Sequence, residues 1–362
     1  MTHVRLAVRV ALLTAALPIA GRSDEGRPSY PPPAEVKRAF LKLLDRPRVL
    51  FHVTIHSTQR EDDGLVSERL SFATEKKPDG GVERVPALLI RPEKIPRKLP
   101  AVIVLHGTGG SKEGMRQWLL HLAQRGMIGI AIDARYHGER SGGAEGAAAY
   151  VQAITRAWRT KPGEPQEHPF YYDTVWDIWR TIDYLETRPD VDPRRIGMLG
   201  FSMGGIQTWL AAAVDDRVRV AVPAIAVQSF RWSLDNDRWQ GRARTIRAAH
   251  EAAAQDLGEP EVNAKVCRAL WNKVIPGMLD QFDCPSMIRL FAGRPLLILN
   301  GENDPNCPIE GARLAFAAAE QAYKEVQAAD KLKILVAPGV GHVVTNDQRH
   351  AALAWLEKWL KE

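Results

Sequence analysis

Residues 196–206 read Ile-Gly-Met-Leu-Gly-Phe-Ser-Met-Gly-Gly-Ile, and this stretch is the strongest indication of the fold class. Its first four residues, Ile196–Leu199, form a short apolar run that is typical of a strand buried on both faces. The residues from 206 to 214 form a run that is compatible with a helix. Ser202 therefore stands in a tight turn between a strand and a helix, with a glycine two residues away on either side, where a Cβ atom would collide with neighbouring backbone.

The position of Ser202 favours a chemical role for its hydroxyl. A serine in such a turn is exposed above the carboxyl end of the strand, and the N-terminus of the following helix favours negative charge that develops there. The pattern Gly-x-Ser-x-Gly also arises by chance, as a glycine-rich turn with an exposed serine. Because a strand precedes this turn and a helix follows it, we predict that Ser202 is the nucleophile of a serine hydrolase.

The chain around this turn alternates between strands and helices. Short apolar runs like the first one recur five times, at 101–105, 127–132, 218–222, 295–299 and 332–336. Helical stretches separate them, such as residues 173–187, which carry apolar side chains at a period of 3.6. This alternation predicts a mostly parallel central sheet flanked by helices, in the α/β class.

Two parts of the chain depart from that alternation. Ahead of the parallel strands, residues 49–55, 65–73 and 82–90 are strand-like and predict an N-terminal antiparallel extension. Residues 138–172 and 225–292 are too long for loops, so we predict two insertions, the second of them helical. The domain prediction is an N-terminal arm at 24–48 and one catalytic domain at 49–362.

A serine hydroxyl needs a base, and the base needs an acid that orients it. His342 follows the last predicted strand, in the sequence Pro-Gly-Val-Gly-His, and we predict that it is the base. Asp304 follows the strand at 295–299, in the sequence Asn-Gly-Glu-Asn-Asp-Pro, and is the predicted acid, with Glu302 as the alternative. The chain order serine, acid, histidine is the order expected of this kind of hydrolase.

The oxyanion that forms in such a reaction needs two backbone N–H donors. Met203, directly after the nucleophile, should supply one of them. The loop after the strand at 101–105 reads His-Gly-Thr-Gly-Gly, and we predict that the N–H of Thr108 supplies the other. The same loop could be a glycine loop that binds phosphate, but it lacks the lysine and the serine or threonine of a P-loop.

These motifs together resemble the α/β-hydrolase superfamily over residues 100–362. The similarity is greatest to the branch of dienelactone-hydrolase-like proteins, acetyl-xylan-type esterases and prolyl-oligopeptidase-like peptidases. In that branch an Asp-x-Arg-x-x-Gly turn follows a strand, and the resemblance implies a structural role for Asp133 and Arg135. Two features differ: dienelactone hydrolases proper use cysteine where this chain has Ser202, and residues 24–99 are too few for the β-propeller of the peptidases.

The first residues are similar to an export signal. Arg5 and Arg9 precede the apolar run at 10–20, and cleavage after Ser23 would leave small residues on the amino side of the cut. We therefore predict a signal peptide at 1–23, export to the periplasm or the medium, and no stable membrane insertion after cleavage. The net charge of +6 includes three arginines of this segment, and the remaining basic residues are scattered, so no nucleic-acid partner is expected.

Other candidate ligands and links leave alternatives open. Cys267 and Cys284 could form a disulfide with Cys307 left over, or all three could be buried thiols. His52 and His56 could bind a metal or form a plain surface pair. The predicted mechanism requires neither a metal nor an organic cofactor.

The resulting hypothesis is a serine hydrolase that cleaves a small-molecule or carbohydrate ester through an acyl-enzyme on Ser202. The same group of residues could serve a serine peptidase or amidase. A non-catalytic binding protein on the same fold is the alternative from another class. The loops and the insertion at 225–292, which would set specificity, contain no motif that identifies a substrate.

Overall fold

The computed structural model describes residues 30–77 and 80–362, so the predicted signal peptide lies outside the described residues. Residues 31–362 form one compact unit. Its strands are β1 (Thr54–Glu61), β2 (Leu65–Lys76), β3 (Val82–Pro92), β4 (Leu99–Leu105), β5 (Ile128–Ile132), β6 (Val191–Phe201), β7 (Val218–Ala224), β8 (Leu296–Gly301) and β9 (Leu332–Ala337). They form one sheet in the order β1-β2-β3-β5-β4-β6-β7-β8-β9. The strands from β4 to β9 run parallel, whereas β1, β2 and β3 are joined to them through antiparallel pairs.

Helices cover both faces of this sheet. They are α1 (Pro33–Leu44), α2 (Arg116–Gln124), α3 (Ala148–Arg159), α4 (Tyr172–Thr187), α5 (Met203–Val214), α6 (Phe230–Asp235), α7 (Gln240–Arg244), α8 (Arg247–Asp256), α9 (Ala264–Val274), α10 (Cys284–Ile288), α11 (Ile309–Glu325) and α12 (Asn346–Lys361). Successive residues of β4 alternate between two apolar clusters, with Ile103 in one and Val104 in the other. Helices α2 and α12 pack in the second cluster, and α4, α5 and α11 pack in the first.

The predicted fold class is confirmed, with each parallel strand formed where an apolar run predicts one. The exception in the N-terminal extension is the strand predicted at 49–55. Strand β1 instead begins at Thr54 and is mostly exposed and polar. It lies at the edge of the sheet, where backbone hydrogen bonds to β2 rather than side-chain burial hold it in place. Phe51 still packs against the core, because its ring lies edge-on to that of Phe72 with 6.2 Å between the ring centroids.

The two predicted insertions both contain helices. Helix α3 lies in the segment 138–172, and helices α6 to α10 lie between β7 and β8. Residues 33–44 of the predicted arm form α1, whose Phe40 is fully buried. The ring centroids of Phe40 and Phe282 lie 5.0 Å apart. This part of the arm therefore packs into the same core as the insertion. Among the residues that the structure describes, no helix is both long enough and apolar enough to cross a bilayer.

Candidate active site

Ser202 occupies a strained turn between β6 and α5. Its backbone angles, φ 51° and ψ −112°, lie in a region that residues other than glycine rarely adopt. A Cβ atom on Gly200 would lie 2.1 Å from the carbonyl oxygen of Gly204, and one on Gly204 would lie 2.5 Å from the carbonyl oxygen of Leu105. The N–H of Ser202 donates to the carbonyl of Ala224 at 2.9 Å. Glycine at both positions thus lets the turn close tightly, and β7 holds it in place.

The structure brings the three predicted residues together in one chain of hydrogen bonds. His342 Nε2 lies 2.8 Å from Ser202 Oγ, and His342 Nδ1 lies 2.7 Å from Asp304 Oδ2. Asp304 accepts a hydrogen bond from Nδ1, so that nitrogen bears the proton and Nε2 can accept the serine proton. The imidazole side chain is 23% exposed, whereas the Asp304 side chain is fully buried. The arrangement can therefore take up and return a proton at the edge of solvent.

The carboxylate of Asp304 is held in place by backbone N–H groups of its own loop. Its Oδ1 accepts hydrogen bonds from the N–H of Asn306 at 2.8 Å and of Cys307 at 3.2 Å. The alternative acid, Glu302, points elsewhere and accepts from the N–H of Gly339 at 2.8 Å. Asp304 is thus the acid that contacts the histidine.

The loop after β4 lies directly against the serine. A Cβ atom on Gly107 would lie 3.5 Å from that of Ser202. His106 anchors this loop, because its Nε2 accepts from the N–H of Ala134 at 3.1 Å while Nδ1 lies 2.8 Å from the carbonyl of Gly107. Burial lowers the pKa of His106, so its ring is neutral in this position. Thr108, the predicted oxyanion donor, is one residue farther along this loop.

The second predicted donor, Met203, is the first residue of α5. Helix geometry leaves the N–H groups of a first turn without partners inside the helix, and the backbone bond at this end runs from the N–H of Ile206 to the carbonyl of Ser202. The N–H of Met203 is therefore free of intrahelical bonding next to the serine. The assignment of both donors remains a prediction.

The turn after β5 supports the site through a buried ion pair. Asp133 accepts hydrogen bonds from the N–H of Lys112 at 2.8 Å and from its Nζ at 2.9 Å. Lys112 is buried and lies just beyond the loop of His106, so this pair ties the two turns together. Gly138 packs on the carboxyl group of Asp133, since a Cβ atom there would approach it to 2.3 Å. The family resemblance implied the structural role of Asp133, whereas Lys112 matches no motif and was not predicted.

The remaining candidates have ordinary partners. His52 lies outside β1 with a φ of 42°, whereas His56 lies within β1 and its Nε2 is 2.9 Å from Ser71 Oγ. The three cysteines are buried free thiols, which was one of the two alternatives. The ligand atoms of Asp304, Cys307 and His342 lie within 4.8 Å of one another, close enough for a metal ion, but the acid and the histidine already bond to each other.

The chain is similar in sequence to known proteins. The sequence model of the acetyl xylan esterase (AXE1) family matches residues 75–231. The Bacillus subtilis protein YtaP is 27% identical over 343 residues, which cover 90% of this chain and 99% of that protein.

Solved structures share the fold. The acetyl xylan esterase from Paenibacillus sp. R4 has a TM-score of 0.61 at 20% identity, covering 90% of this chain and 93% of its own. Acetyl xylan esterase 1 from Thermoanaerobacterium sp. JW/SL YS485 has a TM-score of 0.62 at 20% identity, covering 92% of this chain and 95% of its own. The chain therefore shares its fold with these two esterases, and a segment of it matches the acetyl xylan esterase family.

Proposed function

We propose that this protein is a serine carboxylesterase that removes acetyl groups from carbohydrate esters through an acyl-enzyme on Ser202. The observation that carries the proposal is the continuous chain of hydrogen bonds from Ser202 Oγ through His342 to Asp304, with distances of 2.8 and 2.7 Å. The acetyl preference is supported by the family match over residues 75–231 and by the resemblance to acetyl xylan esterases.

The first half of the reaction forms the acyl-enzyme. His342 Nε2 takes the hydroxyl proton of Ser202 as Oγ attacks the ester carbonyl carbon. Asp304 stabilises the imidazolium that forms, and the N–H groups of Met203 and Thr108 bind the oxyanion. The bond between the carbonyl carbon and the alcohol oxygen then breaks, and the alcohol leaves with the proton from His342.

The second half regenerates the serine. Water occupies the place of the alcohol and gives a proton to His342 while its oxygen attacks the acyl carbon. Collapse of the second oxyanion breaks the bond to Oγ, which recovers its proton from the histidine as the carboxylic acid is released. The protein's own residues carry out every proton transfer in this sequence.

The site of action that we propose is outside the cytoplasm. Residues 1–23 carry the arginines and the apolar run of an export signal, and acetylated polysaccharide is an extracellular material. Sequencing the N-terminus of the protein from a native host tests export. A mature chain that begins at Asp24 would agree with it, and one that begins at Met1 would contradict it.

A fluorophosphonate probe followed by peptide mapping tests the nucleophile. The folded protein should be labelled at Ser202, and absence of labelling would overturn the enzyme proposal in favour of a non-catalytic binding protein. Ser202→Ala should reduce kcat by roughly a millionfold if the three residues act as a unit. Near-normal turnover of that variant would mean that another group is the nucleophile.

A series of esters tests the substrate class. p-Nitrophenyl esters of increasing acyl length should be cleaved best as the acetate, and acetylated xylan should release acetate. Aminoacyl anilides, assayed in parallel, should be poor substrates. A higher kcat/KM for the anilides would instead identify a peptidase or amidase.

A further inference from the structure

Helix α7 of the insertion carries a buried guanidinium group that has no carboxylate partner among the described residues. Arg242 is 1% exposed, and its Nε has no hydrogen-bond partner within the described part of the chain. Taking a cation out of water is costly unless nearby groups compensate it. The groups that contact Arg242 must therefore compensate its charge.

The contacts of Arg242 lead to the loop of the proposed acid. Its Nη2 donates to the carbonyl oxygen of Asn306 at 3.0 Å and lies 3.5 Å from the sulfur of Cys307. The side chain of Tyr171 also lies close enough to interact with Arg242 electrostatically. Burial opposes the charged form of Arg242, but its interactions with Tyr171, Cys307 and, after them, Asp304 outweigh burial and raise its pKa.

The bonded carbonyl belongs to a peptide group that also serves the acid. The C=O of Asn306 and the N–H of Cys307 are the two polar ends of one peptide unit, and that N–H donates to Asp304 Oδ1 at 3.2 Å. A cation on the carbonyl polarises the peptide and makes its N–H a stronger donor. Arg242 thus reaches the carboxylate of Asp304 through a single planar group.

The backbone of α7 fits closely against the same loop. A Cβ atom on Gly241 would lie 2.0 Å from the carbonyl oxygen of Pro305 and 3.0 Å from the nitrogen of Asn306. Only glycine allows this approach, so the insertion and the loop of the acid contact each other at backbone level.

We propose that Arg242 is a positioning residue that holds the Asp304 carboxylate in its working orientation through the peptide between Asn306 and Cys307. The helical insertion thereby takes part in catalysis as well as in packing. This inference rests on the proposed function, because it requires Asp304 to be the acid of the reaction.

The first test compares two arginines of the same short helix. Arg242→Met removes the charge and the hydrogen bonds at similar side-chain length, and Arg244→Met is the matched control because Arg244 is exposed. With p-nitrophenyl acetate, the first variant should lose about 10- to 100-fold in kcat with KM nearly unchanged, since a small misplacement of a catalytic group is costly. The control should keep the kcat of the unaltered protein.

A double-mutant cycle with Asp304→Asn distinguishes positioning from general damage. If Arg242 acts through Asp304, Arg242→Met should cause little further loss of kcat in the Asp304→Asn background. An equal loss in both backgrounds would overturn the inference while leaving the proposed function intact. Full activity of Asp304→Asn alone would instead overturn the proposed acid itself.

A second variant keeps the inference testable if Arg242→Met fails to fold, as judged by its thermal transition. Gly241→Ala adds a Cβ atom that would displace the same loop. Gly114→Ala is its control, because a Cβ atom on Gly114 has no neighbour within 4 Å. Gly241→Ala should lower kcat, and the loss should disappear in the Asp304→Asn background. An unchanged kcat in Gly241→Ala would contradict the inference.

Discussion

Asp177 and Asp304 are both buried carboxylates, but they are held by partners of different charge. Asp177, on α4, accepts from the guanidinium of Arg135 at 3.0 and 3.2 Å and from that of Arg140 at 2.9 Å. Asp304 accepts two peptide N–H groups and the imidazole of His342. Among the described residues, no guanidinium bonds directly to the Asp304 carboxylate.

The difference separates a structural carboxylate from one that can serve in a reaction. Burial alone would raise the pKa of the Asp177 carboxyl, but the two guanidinium groups outweigh burial and hold that pKa well below its ordinary value. The charge of Asp177 is thus permanently matched by cations. The charge of Asp304, supported by neutral donors, stays available to the imidazolium that forms during catalysis.

The largest effect expected from this comparison is on turnover. Asp304→Asn should lower kcat by about 10⁴-fold, because an amide in that place no longer selects the tautomer or stabilises the imidazolium. Steady-state assays with p-nitrophenyl acetate measure the loss. Glu302→Gln is the control and should stay close to the unaltered protein. A large loss in Glu302→Gln with a small one in Asp304→Asn would reverse the assignment of the acid.

For Asp177 the expected effect is on stability. Asp177→Asn removes the carboxylate that Arg135 and Arg140 share and leaves each of them one other acidic partner, Glu75 or Glu83. It should lower the free energy of unfolding by about 3 kcal/mol. Urea denaturation measures this. The control is Asp216→Asn, which removes a surface pair with Lys37 in which the Asp216 side chain is 75% exposed, and which should cost less than about 1 kcal/mol. Equal losses would show that burial does not matter here.

Asp283, in the insertion, is a third buried carboxylate, and no cation contacts it among the described residues. It accepts from the Ser229 hydroxyl and from the N–H groups of Phe230 and Cys284, both at 2.8 Å. Burial raises the pKa of Asp283 to about 6. The folded protein therefore binds this proton more tightly than the unfolded chain does, in which the pKa is about 3.9.

The resulting pH dependence is opposite in sign to that of Asp177. The stabilisation from protonated Asp283 is complete below about pH 4 and is lost as the pH rises through about 6, a change of about 3 kcal/mol. The stabilisation from Asp177 is present above about pH 4 and is lost only as the pH falls further. Urea denaturation between pH 4 and 7 measures this effect on the unaltered protein and on Asp283→Asn. As the pH rises, the free energy of unfolding of the unaltered protein should fall relative to that of Asp283→Asn. A constant difference would contradict the raised pKa.

The smallest effect is expected at Ser229, which supports both Asp283 and the start of α6. Its Oγ accepts from the N–H of Trp232 at 3.0 Å, so Ser229→Ala removes a helix cap and should cost about 1 kcal/mol. The loss should be larger at pH 7 than at pH 4, because the hydroxyl also donates to the charged form of Asp283. Equal losses at the two pH values would mean that the cap alone matters.

Features that depend on neighbouring residues were predictable from the sequence. The parallel strands are apolar runs because both faces of the sheet are covered, and a run of that kind is visible in a few residues. The serine turn is likewise local, since its glycines are needed within two residues of Ser202. Polar β1 could not be placed, because an edge strand depends on its partner rather than on its own side chains.

The fold class and the candidates Ser202, Asp304 and His342 were readable in the sequence, because strand ends and tight turns follow from short-range steric rules. The groups that support these three residues are brought to them by tertiary contacts. Lys112 meets Asp133 across 21 residues, and Arg242 reaches Cys307 across 65. Those pairs depend on how the insertion and the loops pack in three dimensions, and no short-range rule relates residues so far apart along the chain.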